Sequence, residues 1–182
     1  MNPMRSLLAL LLTVAAATAA TLKVGDPAPT KLPTAFIKGT KVSAFDPKKA
    51  YLVEFWATWC GPCKESIPHL TELQANHKDS GLTVIGVHVP KGVTEADAFV
   101  KQMGKKMDYT VAKDTTGAVE KAWLVAAEQN GIPCSFVVVG GKVAFIGHPG
   151  NLTEAKVKEL IAAGATASTP DPKADPKAPA KK

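Results

Sequence analysis

Cysteine, long apolar runs and clustered charge are all scarce in this sequence. Three cysteines in 182 residues are too few for a small fold stapled by disulfides. The 22 basic and 16 acidic residues leave a net charge of +6, and no block of five like charges occurs, so no nucleic-acid partner is expected. No apolar run reaches the roughly 20 residues of a membrane-spanning helix. With 46% hydrophobic and 21% charged residues, the composition is instead that of a folded globular chain.

The first 20 residues differ from the rest of the chain. They combine one arginine, an apolar run over 7–14 and an alanine-rich end over 15–20. This pattern is typical of a secretory signal peptide, with cleavage after Ala19 or Ala20. We therefore expect a periplasmic or secreted protein. The alternative is an uncleaved N-terminal membrane anchor, which the shortness of the apolar run disfavours.

The other end of the chain is predicted to be a disordered tail. Residues 167–182 are rich in Pro, Lys and Ala, repeat Asp-Pro-Lys-Ala twice and contain no large apolar residue. Nothing there offsets the entropy lost on ordering. Removing both ends leaves a domain over 21–166, where 17 basic minus 14 acidic residues give a charge of +3.

Within this domain, segments typical of strands and helices alternate. Strands are predicted over 51–56, 82–89, 109–112, 134–139 and 142–146. Helices are predicted over 61–78, 94–103 and 117–128, with a last one capped by the segment 151–154. Thr94 and Asp97 have the spacing of a capping box, and Gly140-Gly141 favours a hairpin turn. The order predicts an α/β sandwich with a central mixed β-sheet flanked by helices.

The pair Cys60 and Cys63, in the sequence Cys-Gly-Pro-Cys, falls where a predicted strand ends and a helix begins. A thiolate at a helix N-terminus is stabilised by unpaired N–H groups and the helix dipole. Pro62 suits the first turn because it lacks an N–H that would be unpaired there. Cys63 lies one turn on, near enough for a disulfide. A zinc site would need further ligands, and a purely structural disulfide closing so small a loop would stabilise little.

The nine residues 55–63, Phe-Trp-Ala-Thr-Trp-Cys-Gly-Pro-Cys, resemble the active-site signature of the thioredoxin superfamily. Four further motifs resemble its exported, TlpA-like or redoxin-type branch: Gly25-Asp-Pro-Ala-Pro29, Cys63-Lys-Glu-Ser-Ile-Pro68, Gly131-Ile-Pro133 and Gly147-His-Pro149. The resemblance covers residues 24–165. It implies a thioredoxin-like fold and a thiol–disulfide oxidoreductase that acts on protein disulfides, with no cofactor and no metal. We expect a monomer.

The resemblance also implies roles for individual residues. Glu54 would lie buried behind the cysteine pair and move protons for Cys63, and desolvation should raise its pKa. The Ile132–Pro133 bond would be cis and face the disulfide, so that the Ile132 backbone pairs with an incoming peptide. Trp59 would shield Cys60 and contact partners. The substrate-binding set is therefore Trp59, Gly61, Pro62, Ile132 and Pro133.

Two further residues are candidate modulators. Cys134 follows the proline at a position where the family usually has Thr. It is either a small buried thiol or a third redox thiol that traps or resolves intermediates. The hairpin topology returns His148 to the active-site end of the sheet, where it either tunes the thiolate and binds partners or only caps the strand end.

The Gly-Pro dipeptide between the cysteines resembles that of strongly reducing thioredoxins, at about −270 mV, and favours a disulfide reductase. An exported reductase implies a membrane electron donor. One alternative is a peroxide-reducing redoxin, although such enzymes have Thr where this chain has Ala57. A second is a non-catalytic, copper-binding thioredoxin-like module.

Overall fold

A computed structural model describes residues 21–167 of the protein. The predicted signal peptide over 1–20 lies outside the described residues. So does the predicted tail from residue 168 onward, whereas Ala167 is the last residue of a helix. No helix within 21–167 is long and apolar enough to cross a membrane.

A six-stranded mixed sheet forms the centre of the fold, in the order β1-β4-β3-β2-β5-β6. The strands are β1 (Ala35–Lys38), β2 (Ala50–Trp56), β3 (Leu82–His88), β4 (Thr110–Lys113), β5 (Cys134–Val139) and β6 (Lys142–Gly147). β3 runs parallel to both β2 and β4, while the β2–β5, β5–β6 and β1–β4 pairs are antiparallel. Every residue of β2 is buried, as expected of a central strand covered on both faces.

Within residues 21–167, four helices accompany the sheet: α1 (Gly61–His77), α2 (Ala96–Met103), α3 (Ala118–Glu120) and α4 (Glu154–Ala167). α1 continues through Pro68. α3 runs directly into a π-helical turn over Lys121–Val125. Short 3₁₀ turns occupy Val93–Glu95, Gly104–Met107 and Pro149–Asn151. The predicted α/β architecture with a mixed sheet is confirmed.

Three local predictions were wrong or incomplete. Thr94 does not cap α2, because it lies inside the 3₁₀ turn, and Asp97 pairs with Lys113 instead. The last helix is capped by Thr153, whose Oγ1 accepts the Lys156 N–H at 3.2 Å, because Asn151 closes the preceding turn. The segment predicted as one helix over 117–128 is α3 followed by the π-helical turn over Lys121–Val125 and a further turn that ends at Glu128, where φ is +54°. Strand β1 was not predicted.

Consecutive side chains of β2 point to opposite faces of the sheet. Phe55 packs on one face against Trp123 and Phe136, with ring centroids 6.4 and 5.8 Å away. Glu54 and Trp56 therefore lie on the other face. Trp56 is fully buried there against His88 and Phe99.

Candidate active site

The two cysteines at the start of α1 form a disulfide. Cys60 is the N-cap residue of the helix, and its Sγ accepts the backbone N–H of Cys63 at 3.2 Å. Pro62 lies in the first turn. Cys60 is 5% exposed and Cys63 only 1%, so the first sulfur is the one nearer to solvent. A thiolate on Cys60 would keep this backbone hydrogen bond and the favourable end of the helix dipole.

The segment around the cis Ile132–Pro133 bond borders the disulfide. The carbonyl oxygen of Ile132 lies 3.7 Å from Cys60 Sγ. Gly61 and Pro62 are exposed on the other side of the first cysteine. The structure thus brings the predicted substrate-binding backbone next to the sulfur that is nearer to solvent.

Trp59 is 51% exposed, which is unusual for so large an apolar side chain. Its indole N–H donates to the Lys91 carbonyl at 2.9 Å, and Lys91 Nζ lies 5.2 Å from the ring centroid. Gly92, with φ of +77°, passes so close that a Cβ there would lie 3.1 Å from the indole. The ring is therefore fixed on the loop after β3 with one face open.

An apolar groove of about 460 Å³ begins at this ring. Its lining includes Ile132 and the end of the π-helical turn, where Val125 is 61% exposed. Lys91 and Glu120 supply charges of opposite sign. The groove joins the open face of Trp59 to the backbone beside Cys60.

Glu54 is the one acidic residue of β2, and its side chain is buried. Ser135, its cross-strand neighbour in β5, donates a short hydrogen bond from Oγ to Glu54 Oε2. Burial raises the pKa of Glu54 to about 8, and the Ser135 hydrogen bond opposes that rise. The raised value is close to the ordinary thiol pKa of about 8.5.

The two candidate modulators have different surroundings. Cys134 is a free, buried thiol, 3.9 Å from Gln129 Oε1. Burial, with a smaller contribution from the charge of Glu54, raises its pKa to about 12, which disfavours a reactive thiolate. His148 is exposed, and its Nδ1 accepts the Gly150 N–H at 3.0 Å. This hydrogen bond caps the 3₁₀ turn at the end of the hairpin.

His88, for which no role was predicted, holds the loop in front of the cysteines. Its Nε2 accepts the Thr58 N–H at 3.0 Å, and its Nδ1 lies 2.6 Å from the Val89 carbonyl oxygen. Both contacts are satisfied by a neutral ring that carries its proton on Nδ1. Burial lowers the pKa of His88, partly opposed by the Val89 hydrogen bond. Thr58 Oγ1 also donates to Glu95 at 3.2 Å.

The position of His88 next to the loop before the cysteines could have been suspected from sequence, because parallel strands end at the same edge of a sheet. Residues 56 and 88 are paired at the ends of β2 and β3. Ser135 could not have been found in this way, since its contact with Glu54 depends on the antiparallel register of β5.

Within residues 21–167, no three His, Cys, Asp or Glu side chains form a group that could hold a metal ion.

A mixed sheet with a cysteine pair at the N-terminus of the helix after its central strand, opposite a cis-proline, defines a thioredoxin-like protein. The sequence profile of the Redoxin family matches residues 23–163. The chain therefore belongs to the Redoxin family, as the resemblance of its motifs implied.

Individual relatives agree with this assignment. The chain is 30% identical over 118 residues to the thiol-disulfide oxidoreductase ResA of Bacillus thuringiensis subsp. konkukian, covering 64% of each protein. It is 28% identical over 137 residues to protein FixW of Rhizobium leguminosarum, covering 71% of this chain and 62% of that one. The match thus spans less than two thirds of the length of these relatives.

Among solved structures, the chain is similar to a thiol:disulfide interchange protein of the thioredoxin family from Chlorobium tepidum. The two are 26% identical with a TM-score of 0.61, and the match covers 80% of this chain and 99% of that one.

Proposed function

We propose that the protein is an exported thiol–disulfide oxidoreductase that reduces protein disulfides by dithiol–disulfide exchange at Cys60 and Cys63. The observation that carries the proposal is the hydrogen bond from the Cys63 N–H to Cys60 Sγ at the start of α1. The relatives named for thiol–disulfide oxidation and interchange support the same reaction.

The reaction begins with the reduced protein. The Cys60 thiolate attacks one sulfur of a substrate disulfide; an S–S bond to the substrate forms, and the other substrate sulfur leaves as a thiolate that takes up a proton. Cys63 then gives its proton to the Glu54 carboxylate and attacks Cys60 Sγ. The second substrate thiolate leaves, and the protein retains the Cys60–Cys63 disulfide. Two electrons pass from protein to substrate.

The environment of Glu54 supports its role as proton acceptor. Transfer between two groups is easiest when their pKa values are close, and burial raises that of Glu54 to about 8. A solvated carboxylate, at about 4.3, would be a much weaker base toward a thiol at about 8.5. Among the predicted site residues, Glu54 is thus proposed as the base, and Cys60 and Cys63 as the reacting thiols.

The groove supports an extended peptide as the substrate. Trp59 and Val125 offer exposed apolar surface, and the Ile132 backbone offers hydrogen-bonding groups beside Cys60. Main-chain pairing gives affinity without demanding a particular sequence. We propose that Trp59, Gly61, Pro62, Ile132 and Pro133 contact the polypeptide around the substrate disulfide.

Export and reduction together require a source of electrons outside the cytoplasm. We propose a cleaved signal peptide over 1–20, a monomeric domain over 21–167, a disordered tail over 168–182 and a membrane dithiol protein as the electron donor. The N-terminal mass of the protein from a periplasmic or culture fraction tests the first point. An intact N-terminus in the membrane fraction would instead support the uncleaved anchor.

The test of the reaction uses two matched variants. When the reduced variants are mixed with insulin, whose disulfides are intact, Cys63→Ser should accumulate a mixed disulfide with an insulin chain. Cys60→Ser should accumulate none. Equilibration of the wild type with glutathione should give a potential near −270 mV, and a value near −120 mV would overturn the reductive direction. Turnover of hydrogen peroxide without any mixed disulfide would favour the peroxidase alternative. Stoichiometric copper with no insulin reduction would favour the binding module.

A further inference from the structure

The buried face of the sheet around Glu54 holds three polar atoms for which the described residues provide no hydrogen-bond partner. They are Glu54 Oε1, Trp56 Nε1 and the Tyr109 hydroxyl. All three side chains are at least 95% buried. Unpaired polar groups in the interior are costly and rare, so three on one face call for a common explanation.

Gly86 of β3 brings these side chains together. It pairs with Glu54 in the parallel register of β2 and β3. A Cβ on Gly86 would lie 2.9 Å from Tyr109 Cε2 and 3.2 Å from Trp56 Nε1. Tyr109 and Trp56 therefore both pack over the Gly86 backbone, next to the strand position of Glu54. The charge of Glu54 also acts on Tyr109, which places the two groups within electrostatic reach.

The three atoms are chemically complementary. Indole nitrogen can only donate a hydrogen bond, and a carboxylate oxygen can only accept one. Burial, with a further contribution from the charge of Glu54, raises the pKa of Tyr109 well above its ordinary value. The phenol therefore keeps its proton and is available as a donor. Two buried donors thus share this face of the sheet with one buried acceptor.

The other titratable groups around Glu54 do not offer such a donor. Cys134 interacts with Glu54 electrostatically but is directed toward Gln129. His88 on β3 already donates to Val89. The buried titratable residues of α1 are Cys63, which is in the disulfide, and His77, which pairs with Glu154.

We propose that Tyr109 is a positioning residue for Glu54. Its hydroxyl donates to Glu54 Oε1 through one bridging water, with the Trp56 indole as the second donor. This contact favours the carboxylate form, the form that accepts the proton of Cys63. The catalytic consequence rests on the proposed role of Glu54, whereas the hydrogen bond itself does not.

The first experiment follows the Glu54 carboxyl directly, without any activity measurement. Infrared difference spectra of the oxidised protein are recorded from pH 5 to pH 10, and the Glu54→Gln variant identifies the carboxyl band. Hydrogen bonds to charged groups are strong enough that Tyr109→Phe should move the titration midpoint upward by about one pH unit. The carboxylate fraction at pH 7 then falls roughly tenfold.

Tyr51→Phe is the matched control, because Tyr51 is also buried and its hydroxyl accepts a hydrogen bond from the Asp46 N–H at 3.0 Å. It lies on the opposite face of β2 from Glu54. The midpoint should stay unchanged in this variant. Trp56→Phe, which removes the second donor, should shift the midpoint in the same direction as Tyr109→Phe. If Tyr109→Phe does not fold, Trp56→Phe still tests whether a donor on this face shifts the titration of Glu54.

The second experiment measures the pH profile of mixed-disulfide resolution. Tyr109→Phe should shift this profile upward in the wild type and have no effect in the Glu54→Gln background. An unchanged carboxyl titration in both Tyr109→Phe and Trp56→Phe would overturn the proposal. A shifted titration with an unshifted rate profile would support the hydrogen bond and overturn only the proposed catalytic role of Glu54.

Discussion

Replacing Glu54 by Gln should stabilise the protein at neutral and alkaline pH, although the residue belongs to the proposed machinery. The pKa of Glu54 is about 8 in the folded state, against 4.5 for a solvated glutamate side chain. Below pH 4.5 both states hold the proton, and ionisation costs nothing. As the pH rises from 4.5 to about 8, the unfolded state ionises first, so stability is lost. Ionisation of Glu54 thus lowers the free energy of unfolding by about 3 kcal/mol at pH 7 and by about 5 kcal/mol well above pH 8.

Glutamine cannot ionise, so the difference in unfolding free energy between variant and wild type should grow by about 4 kcal/mol from pH 5 to pH 9. Urea unfolding of the oxidised proteins at several pH values measures this difference. The growth with pH is the decisive quantity, because the cost of placing an amide next to Ser135 is nearly independent of pH. Glu65→Gln, an exposed position on α1, is the control and should show no such growth. A constant difference for Glu54→Gln would refute the reasoning.

Three further substitutions test other parts of the site. Trp59→Ala should raise the KM for a peptide disulfide about fivefold with little effect on kcat, because its exposed half offers about 1 kcal/mol of apolar burial to a partner. His88→Asn should reduce the loss of stability on acidification. Burial lowers the pKa of this histidine, so the wild type loses stability as the pH falls below about 6.5, and unfolding at pH 5 and 7.5 measures it. Cys134→Thr should leave turnover and the trapped intermediates unchanged, because a thiol with a pKa near 12 stays protonated; a loss of either would restore its role as a third redox thiol.

Much of the fold could be predicted because its signals are local. The buried run in β2, the paired glycines of the hairpin and the apolar stripe of α1 each depend on a few neighbouring residues. Strand β1 was missed because it is a four-residue edge strand of half-buried residues, and its pairing with β4 is long-range. The capping prediction at Thr94 failed because the chain enters α2 through a 3₁₀ turn. Spacing alone does not distinguish a 3₁₀ turn from a cap.

In the candidate site too, contacts within one chain segment could be predicted and contacts between distant segments could not. Cys60, Cys63 and the start of α1 belong to one strand–loop–helix segment, so their relation follows from the chain itself. Ser135, His88 and Tyr109 reach the site only through the alignment of β5, β3 and β4 with β2. A shift of one residue in any pairing would turn the side chain to the other face of the sheet. These partners therefore required the structure.

The structure gives the two cysteines the different surroundings that their predicted roles require. Cys60 precedes the helix, so its sulfur accepts a backbone N–H and lies beside the Ile132 carbonyl at the groove. Cys63 lies inside the first turn, where its own N–H is the donor and its side chain is sealed from solvent. The first sulfur is therefore the one that borders the groove. This geometry supports the proposed order, in which Cys60 attacks and Cys63 resolves. In the proposed mechanism a buried base serves the second thiol alone, because the helix N-terminus already stabilises the anion of the first.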